Sequence, residues 1–495
     1  MRLMSSALRL IADQAFSRAA GAPLVDGNAV ELLCDARQNY PAWLDAINSA
    51  ERWIHFESYI VHDDECGREF AEALNAAARR GVRVRIVYDW LGALTATTWI
   101  YWERLRRAGA EVRPFNQPRL DSPLGWLSRD HRKMLGVDGC VGFVTGLCVG
   151  NMWVGGERCQ GLDPWRDTGV AVRGPAVVDI ERAFAEAWDA TGAPLPEDET
   201  LEHGSIAAAG SVSLRVIGTK PSTAGLFRLD TLVAAVARER LWITDAYFVG
   251  ASPYVQALSA AAADGVDVRL LVPGSGTDLP VVQKLTRAGY RPLLEAGVRI
   301  FEWNGTMIHA KTAVADGRWA RVGSSNLNIQ SWLGNWELDV AIDDQAFGRE
   351  MEDVYERDLE NATEVVLEQR SRRRTVPSRV TRTRRPERWA RRPRTGRTRR
   401  AAAAGALRMG RTFGAALTAR RSLGAAEAWT LLWGVALLFG LGFVGLKWPK
   451  ALAYPIGVFL VWVAVSWVIQ AGRLLRRRRR EPAVESRPAG KRDAA

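Results

Sequence analysis

The sequence predicts an α/β protein built from two duplicated α/β/α sandwich halves that pack about a pseudo-twofold axis, followed by a C-terminal transmembrane helical hairpin. Three observations support this fold class. Stretches with strand character alternate with stretches of helix character over most of the chain. Three strings then recur in the same order at offsets of 188, 184 and 178 residues. Two uncharged apolar runs of 19 and 22 residues follow near the C-terminus, and each is long enough to cross a bilayer.

The charge of the chain is distributed unevenly, and this distribution limits the classes of partner. The 495 residues carry a net charge of +12, but residues 370–400 alone carry +14 and residues 401–495 carry +11. Residues 1–369 therefore carry −13. An enzyme of nucleic acids needs its positive field on its body, so no nucleic-acid partner is expected. Basic residues beside apolar runs are typical of a membrane protein.

The five cysteines include no C-x-x-C pair and are odd in number. This pattern favours free thiols in a reducing compartment over a disulfide framework or a structural zinc site.

The N-terminal region, residues 1–27, is predicted to form an amphipathic helix. Its apolar side chains have helical spacing, but Arg9 and Asp13 interrupt them, so the segment is not a signal peptide. The helix could lie on a membrane surface or pack on the body, and the sequence leaves both possibilities open.

The duplicated halves are predicted to cover residues 28–200 and 205–369. The string RWIHFESYIV at 52–61 returns as RLWITDAYFV at 240–249, and GVRVRIVYD at 81–89 returns as GVDVRLLVP at 265–273. HRKMLGVDG at 131–139 returns as HAKTAVADG at 309–317. A repeat of this length is too long for a solenoid unit, so each copy is a domain or half an enzyme.

The C-terminal quarter divides into three predicted segments. Residues 370–426 form a basic linker with a composition typical of disorder. Residues 427–472 contain the two apolar runs, at 428–446 and 451–472, and residues 473–495 form a basic tail. Because basic residues flank the outer ends of the pair, the positive-inside rule predicts that the body lies in the cytoplasm. A buried soluble hairpin is the less favoured alternative.

Two copies of the pattern H-x-K-x-x-x-x-D are the strongest functional signal. They run from His131 through Lys133 to Asp138 and from His309 through Lys311 to Asp316. On a strand, a histidine and a lysine two residues apart share a face. If the halves pack about a pseudo-twofold axis, both pairs meet in one cleft. One imidazole could then attack phosphorus while the other protonates the leaving alkoxide, and the lysines would neutralise the phosphate oxygens.

Residues downstream of each motif could support such a site. Ser324, Ser325 and Asn326 in the second half, and Thr145 in the first, are expected to bind phosphate oxygens. A carboxylate downstream in each half, Asp167 and Glu337, could orient its histidine through the ring N–H; ordinary surface carboxylates are an equally weighted alternative. Lysine is a poor metal ligand, so neither a metal nor another cofactor is expected.

The paired motifs resemble those of the phospholipase D superfamily, and the similarity covers about residues 28–360. Within that superfamily the chain most resembles bacterial cardiolipin synthases, on the strings Asp245-Ala-Tyr-Phe248, Val322-Gly-Ser-Ser-Asn326 and Trp165-Arg-Asp-Thr168. The resemblance implies phosphatidyl transfer through a phosphohistidine, with two phosphatidylglycerols yielding cardiolipin and glycerol. It implies His131 as the nucleophile and His309 as the acid and base. It also implies an enzyme of the bacterial inner membrane that meets an anionic lipid surface.

The first half departs from the pattern, because Cys148 stands where asparagine is usual and Thr145 replaces a glycine. This departure leaves open how evenly the halves hold phosphate and which histidine is the nucleophile. Two other functions also stay open: a phospholipase D-type phosphodiesterase that hydrolyses phospholipid, and a membrane-tethered scaffold without activity. The sequence does not fix the second substrate or the oligomeric state.

Overall fold

The computed structural model describes residues 13–118 and 127–367, together with single helical positions between 447 and 468. The chain divides into two units, Met1–Glu368 and Gln369–Ala495. The first unit contains both copies of the repeated strings. The predicted basic linker, most of the predicted hairpin and the basic tail lie outside the described residues. Within the part of the chain that is described, no helix combines the length and apolarity needed to cross a bilayer.

The first half alternates strands and helices as the sequence predicts. Its elements are β1 (Val25–Cys34), α1 (Asp35–Ser49), β2 (Trp53–Ser58), α2 (Glu65–Arg79), β3 (Arg83–Asp89), α3 (Trp90–Ala93), α4 (Trp99–Arg107), β4 (Glu111–Phe115), β5 (Lys133–Val137), β6 (Val141–Thr145), α5 (Asn151–Val154), β7 (Thr168–Arg173) and α6 (Val177–Thr191).

The second half repeats this order with small additions. Its elements are β8 (Val212–Thr219), α7 (Gly225–Val236), β9 (Arg240–Thr244), α8 (Ser252–Ala263), β10 (Asp267–Pro273), α9 (Pro280–Ala288), α10 (Tyr290–Glu295), β11 (Arg299–Trp303), β12 (Thr312–Ala315), β13 (Trp319–Gly323), α11 (Ile329–Leu333), β14 (Glu337–Asp343), α12 (Gln345–Glu360) and β15 (Ala362–Val365).

Local sequence explains why these elements form. Strand β6 is buried along its whole length, which explains its nearly continuous apolar sequence, because helices cover both faces of the sheet. Helix α2 begins at Asp64, whose side chain accepts a hydrogen bond from the backbone N–H of Gly67 at 3.0 Å. Its buried residues Phe70, Leu74 and Ala77 follow the spacing of a single helical face.

All fifteen strands belong to one sheet, in the order β15-β11-β10-β9-β12-β13-β14-β8-β1-β7-β6-β5-β2-β3-β4. The order is nearly the same when read from either end, with β1 matching β8, β5 matching β12 and β7 matching β14. The halves meet where β1 pairs antiparallel with β8 across a register shift. Buried Asn28 spans that shift, because its amide donates to the carbonyls of Val25 and Val212. This arrangement is the two-half α/β architecture that the repeats predict.

The core has three parts. One part lies between the sheet and helices α1 and α2 of the first half, and a second lies under α7 and α8 of the second half. The third contains α6 and α12 together with the inner faces of both halves. This shared core explains why the two halves form one compact unit, and it holds the motif-bearing strands β5 and β12 in fixed relative positions.

The described part of the N-terminal helix, residues 13–20, packs on the second half. Arg228 donates to the carbonyl of Ala19 at 3.0 Å and Arg215 donates to that of Asp13 at 3.1 Å, while Ala20 is buried. The sequence allows this helix to lie on a membrane surface or on the body, and its described turns lie on the body.

Candidate active site

The two motif histidines line the same cavity. Its volume is about 1000 Å³, and residues from both halves contribute to its wall. His131 and His309 are 8% and 6% exposed, so each ring is almost fully enclosed but retains access to the cavity. The parallel strands β2, β3, β9 and β10 all end toward this cavity, which is where α/β sheets place their binding sites.

Each histidine lies just before a strand, in a segment that crosses to the other half. The backbone N–H of His131 donates to the carbonyl of Trp336 at 2.8 Å, and that of His309 donates to the carbonyl of Arg166 at 2.7 Å. Short parallel bridges join Asp130 to Trp336 and Arg166 to Ile308. The sequence predicted that the histidines lie within strands. The structure instead begins β5 at Lys133 and β12 at Thr312, because the preceding residues pair with the opposite half.

The carboxylates that hold the histidines come from the opposite halves. Nδ1 of His131 lies 2.8 Å from Oε2 of Glu337, and Nδ1 of His309 lies 2.7 Å from Oδ2 of Asp167. Sequence order predicts that each carboxylate orients the histidine of its own half, and this prediction is wrong. The crossing segments cause the exchange, since β14 and β7 bring Glu337 and Asp167 alongside the other half's motif. Both dyads leave Nε2 as the ring nitrogen for chemistry.

Further hydrogen bonds fix both carboxylates. Glu337 also accepts from Ser324 Oγ at 2.6 Å and from the amide of Asn335 at 3.0 Å. Asp167 accepts from the indole N–H of Trp153 at 3.2 Å and from the backbone N–H of Thr168 at 2.8 Å. Burial raises the pKa of each carboxyl, but its charged neighbours, the paired histidine first among them, outweigh burial and hold each pKa below its usual value. Both carboxylates are therefore ionised at neutral pH.

The two lysines supply positive charge to both histidines. Nζ of Lys133 donates to the carbonyl of His131 at 2.5 Å, and Nζ of Lys311 lies 2.9 Å from Nε2 of His309. Burial lowers the pKa of His131; Glu337 opposes this shift, and Lys133 and Lys311 add to it. Burial likewise lowers the pKa of His309, to about 3, with Lys311 and Lys133 adding to the shift and Asp167 opposing it. Each lysine therefore acts on both rings, in agreement with the position of both rings in the wall of one cavity.

Lys311 itself is a perturbed group. Burial and the nearby Lys133 lower its pKa to about 8, against the opposing effect of Asp167 and Asp245. The ammonium groups of Lys133 and Lys311 act on both histidines, where they can also neutralise the oxygens of a bound anion. The electrostatics of the site therefore suit an anion such as a phosphodiester.

Three of the four predicted phosphate ligands have other partners. Ser324 is fully buried and bonds to Glu337, and Ser325 is fully buried and donates to Asp339, which pairs with Arg321 at 3.1 Å. Thr145 is also buried, and its hydroxyl donates to the carbonyl of Thr168 at 3.3 Å. The structure corrects their placement, because these hydroxyls support the carboxylates and strands behind the cavity. Asn326 does line the cavity, and so does Cys148 at the matching position of the first half.

The aspartates that end the motifs lie far from the cavity. Each begins the turn after its strand and adopts a positive φ, 55° for Asp138 and 52° for Asp316, followed by a glycine that does the same. The carboxylate of Asp138 accepts from the backbone N–H groups of three consecutive residues, 51–53, and Asp316 does so from residues 238–240. The structure therefore corrects their predicted catalytic role. Both aspartates stabilise turns at the strand ends opposite the cavity.

Aromatic residues around the histidines were not assigned from the sequence. Tyr59 meets His131 edge to face at 4.8 Å between ring centroids, and Tyr247 meets His309 at 5.8 Å. Trp153 and Trp165 both lie 5.7 Å from the His309 ring, so that histidine has the larger aromatic enclosure. The tyrosines occupy matching places in the repeated strings at 52–61 and 240–249. This repetition in the sequence could have identified them as residues of the site.

Comparisons with known proteins agree with this geometry. The family described as "Cardiolipin synthase, PLD-like domain" matches residues 43–151 and 233–359. Cardiolipin synthase of Alkalihalophilus pseudofirmus is 31% identical over 69% of this chain and 68% of its own length. Cardiolipin synthase A of Pseudomonas fluorescens is 33% identical over 70% of this chain and 72% of its own. With the synthase of Geobacillus kaustophilus, the match spans 63% of the relative's length.

A solved structure shows the same fold at low sequence identity. The phosphatidylserine synthase of Haemophilus influenzae aligns with a TM-score of 0.57 and 14% identity, over 71% of this chain and 91% of that one. The paired H-x-K motifs, the duplicated α/β halves and the extent of these matches together place this chain in the phospholipase D superfamily, as a phosphatidyltransferase of the cardiolipin synthase family.

Proposed function

We propose that this protein joins two phosphatidylglycerol molecules into cardiolipin and releases glycerol, through a covalent phosphohistidine. One observation carries the proposal. Two imidazoles line one cavity, each with Nδ1 held by a buried carboxylate and each beside the same two lysines. Such a pair can act on the two sides of a single phosphorus.

In the first step Nε2 of His131 attacks the phosphorus of the first phosphatidylglycerol. The P–N bond forms as the bond to the glycerol oxygen breaks, and protonated His309 gives its proton to the departing alkoxide. Lys133 and Lys311 balance the charge on the non-bridging oxygens. Glu337 stabilises the positive charge that develops on the His131 ring, as the aspartate does for the histidine of a serine protease triad.

In the second step a glycerol hydroxyl of the second phosphatidylglycerol attacks the phosphohistidine. Neutral His309 takes the hydroxyl proton, the P–N bond breaks, and cardiolipin leaves with both phosphates esterified. His309 is protonated again, so the cycle closes.

The protonation state of His309 depends on the bound phosphate. Burial and the lysines favour the neutral ring. The negative charge of a phosphodiester between the lysines acts in the opposite direction and raises the pKa of a neighbouring imidazole. Substrate binding would therefore favour protonated His309, the general acid that the first step needs.

The test is product analysis by mass spectrometry after incubation of the purified full chain with phosphatidylglycerol. We expect cardiolipin and glycerol from the wild type and neither product from His131→Ala. His203→Ala is the matched control, because His203 is exposed and pairs with Asp179 outside the cavity. Phosphatidic acid in place of cardiolipin would identify the chain as a phospholipid hydrolase, and absence of both lipids would remove the proposal.

We also propose that residues 428–446 and 451–472 hold the enzyme in the bacterial cell membrane with its body in the cytoplasm. The length of these runs and their basic flanks support this topology. Cys140 is an exposed free thiol on the body and offers a direct test. A membrane-impermeant maleimide should modify it only after the cells are lysed. Modification in intact spheroplasts would place the body outside.

A further inference from the structure

Exposed apolar side chains concentrate around the opening of the active-site cavity. Of the fourteen large apolar residues exposed within 13–118 and 127–367, eleven belong to segments that also contribute to the cavity wall or adjoin it. We call these eleven the apolar rim. The first half supplies Leu94, Trp99, Ile100, Leu127, Val154 and Leu162. The second half supplies Leu279, Val281, Leu285, Ile329 and Leu333.

The rim has the same pseudo-twofold symmetry as the fold. Helices α4 and α9 each lie between the third and fourth strands of their halves, and each exposes a large side chain at its start, Trp99 at 72% and Val281 at 71%. Helices α5 and α11 follow the hairpins of the motif strands and occupy matching places in the two halves. Ile329, in the first turn of α11, is both exposed and part of the cavity wall. The apolar surface therefore continues from the rim into the site.

We propose that the apolar rim is a membrane-docking surface that inserts into a phospholipid bilayer, so that the cavity opens directly onto the lipid. The proposal rests on the proposed function for its choice of substrate. A phospholipid reaches such a site by presenting its phosphate while its acyl chains stay in the membrane. A rim that enters the layer just below the headgroups would let the substrate slide in without exposing those chains to water.

Two features favour a bilayer over another protein. Both halves present apolar residues around one opening, and a flat, uniform surface can contact both halves equally. The segment 1–369 carries a net charge of −13, so its long-range electrostatics do not attract an anionic membrane. Apolar insertion is therefore the attraction that residues 1–369 themselves can offer to the lipid surface.

The first test measures depth and needs no activity. A solvatochromic non-natural side chain is introduced at position 99, 281 or 236 of the full chain, which is reconstituted in phosphatidylcholine and phosphatidylglycerol vesicles with brominated acyl chains. Val236 is 47% exposed and lies near Asp316, at the strand ends opposite the cavity, so it is the matched control. We expect quenching at 99 and 281 and none at 236. Absence of quenching at 99 and 281 would overturn the proposal, and it is the result expected if residues 369–495 or a second copy cover the rim.

The second test separates docking from chemistry. Trp99→Asp combined with Val281→Asp should lower kcat/KM about a hundredfold for phosphatidylglycerol in vesicles, because each inserted side chain contributes about one factor of ten. Monomeric short-chain phosphatidylglycerol should be turned over at the wild-type rate, since it needs no membrane. Val236→Asp should change neither rate. Equal losses on both substrates, or no loss on vesicles, would contradict the docking role. If the protein does not act on phosphatidylglycerol, neither form of the substrate will be turned over, but the quenching result will be unchanged.

Discussion

The crossed dyads allow a test that assigns the two chemical roles. The substitution Glu337→Gln keeps a side chain of the same size beside Nδ1 of His131 and removes its negative charge. The substitution Asp167→Asn does the same beside His309. If His131 is the nucleophile, Glu337 stabilises the ring that forms the P–N bond, and Asp167 acts on the histidine that moves the proton.

The expected magnitude follows from the distance and burial of the pair. Glu337 is fully buried and lies 2.8 Å from the ring nitrogen. Two unit charges at about 4 Å interact by about 4 kcal/mol in a partly buried protein site, and about 1.4 kcal/mol corresponds to a tenfold change in rate. Glu337→Gln should therefore lower the rate of phosphohistidine formation by about 10³-fold.

The assay compares two leaving groups in the first step. With phosphatidylglycerol the leaving alkoxide needs a proton, so both substitutions should slow the release of glycerol. With a phosphatidyl p-nitrophenol diester the leaving phenolate needs no proton. The burst of nitrophenolate should recover in Asp167→Asn and stay slow in Glu337→Gln.

Two results would refute this reasoning. Recovery in Glu337→Gln but not in Asp167→Asn would exchange the roles of the two histidines. Wild-type rates in Glu337→Gln with both substrates would show that the carboxylate has no catalytic effect, despite its short contact with the imidazole.

Three further predictions follow from the site. Because the pKa of Lys311 is lowered to about 8, its ammonium loses its proton as the pH rises through that value. The value of kcat/KM should therefore fall as the pH rises above about 8. In Lys311→Arg this fall should move to higher pH, since arginine stays charged. If the fall stays at the same pH in that variant, Lys311 is not its source. Asp138→Ala and Asp316→Ala each remove a carboxylate that accepts three backbone N–H groups and should each destabilise the body by about 2–4 kcal/mol. Thermal unfolding should show similar losses for the two, with near wild-type turnover per folded molecule, whereas loss of turnover without loss of stability would return these residues to the catalytic set. Ser324→Ala removes a hydrogen bond to Glu337 and should lower kcat about tenfold with little change in KM. Asn326→Ala, on the cavity wall, should instead raise KM. Steady-state kinetics in which Ser324→Ala changes KM and Asn326→Ala changes kcat would contradict these placements.

The sequence predicts correctly those parts of the site that belong to a repeated pattern. His131 with Lys133 and His309 with Lys311 recur as pairs, and repetition in two halves implies a shared cleft even though 178 residues separate the copies. The alternation of strands and helices, together with the repeated strings, likewise predicts the two-half architecture. Sequence spacing within one half, however, carries no information about contacts with the other half.

The incorrect details share that cause. Local order in the sequence pairs Glu337 with the histidine of its own half, whereas the actual contact depends on Trp336 crossing to Asp130. Asp138 looks catalytic when read as part of a motif, but its positive φ and its three backbone contacts are properties of a turn. Ser324 is small and polar, as a phosphate ligand would be, and only its burial beside Glu337 distinguishes a supporting hydroxyl from one in the cavity wall.

The exchange of carboxylates has a consequence for the origin of the enzyme. A polypeptide limited to residues 28–200 would own His131 and Asp167 but lack the partner of each, and the same holds in reverse for residues 205–369. Neither segment is self-sufficient. An ancestor encoding only one such segment could have assembled both dyads solely as a symmetric pair of identical chains, and fusion of the two genes would then have made that association permanent and freed each copy to diverge.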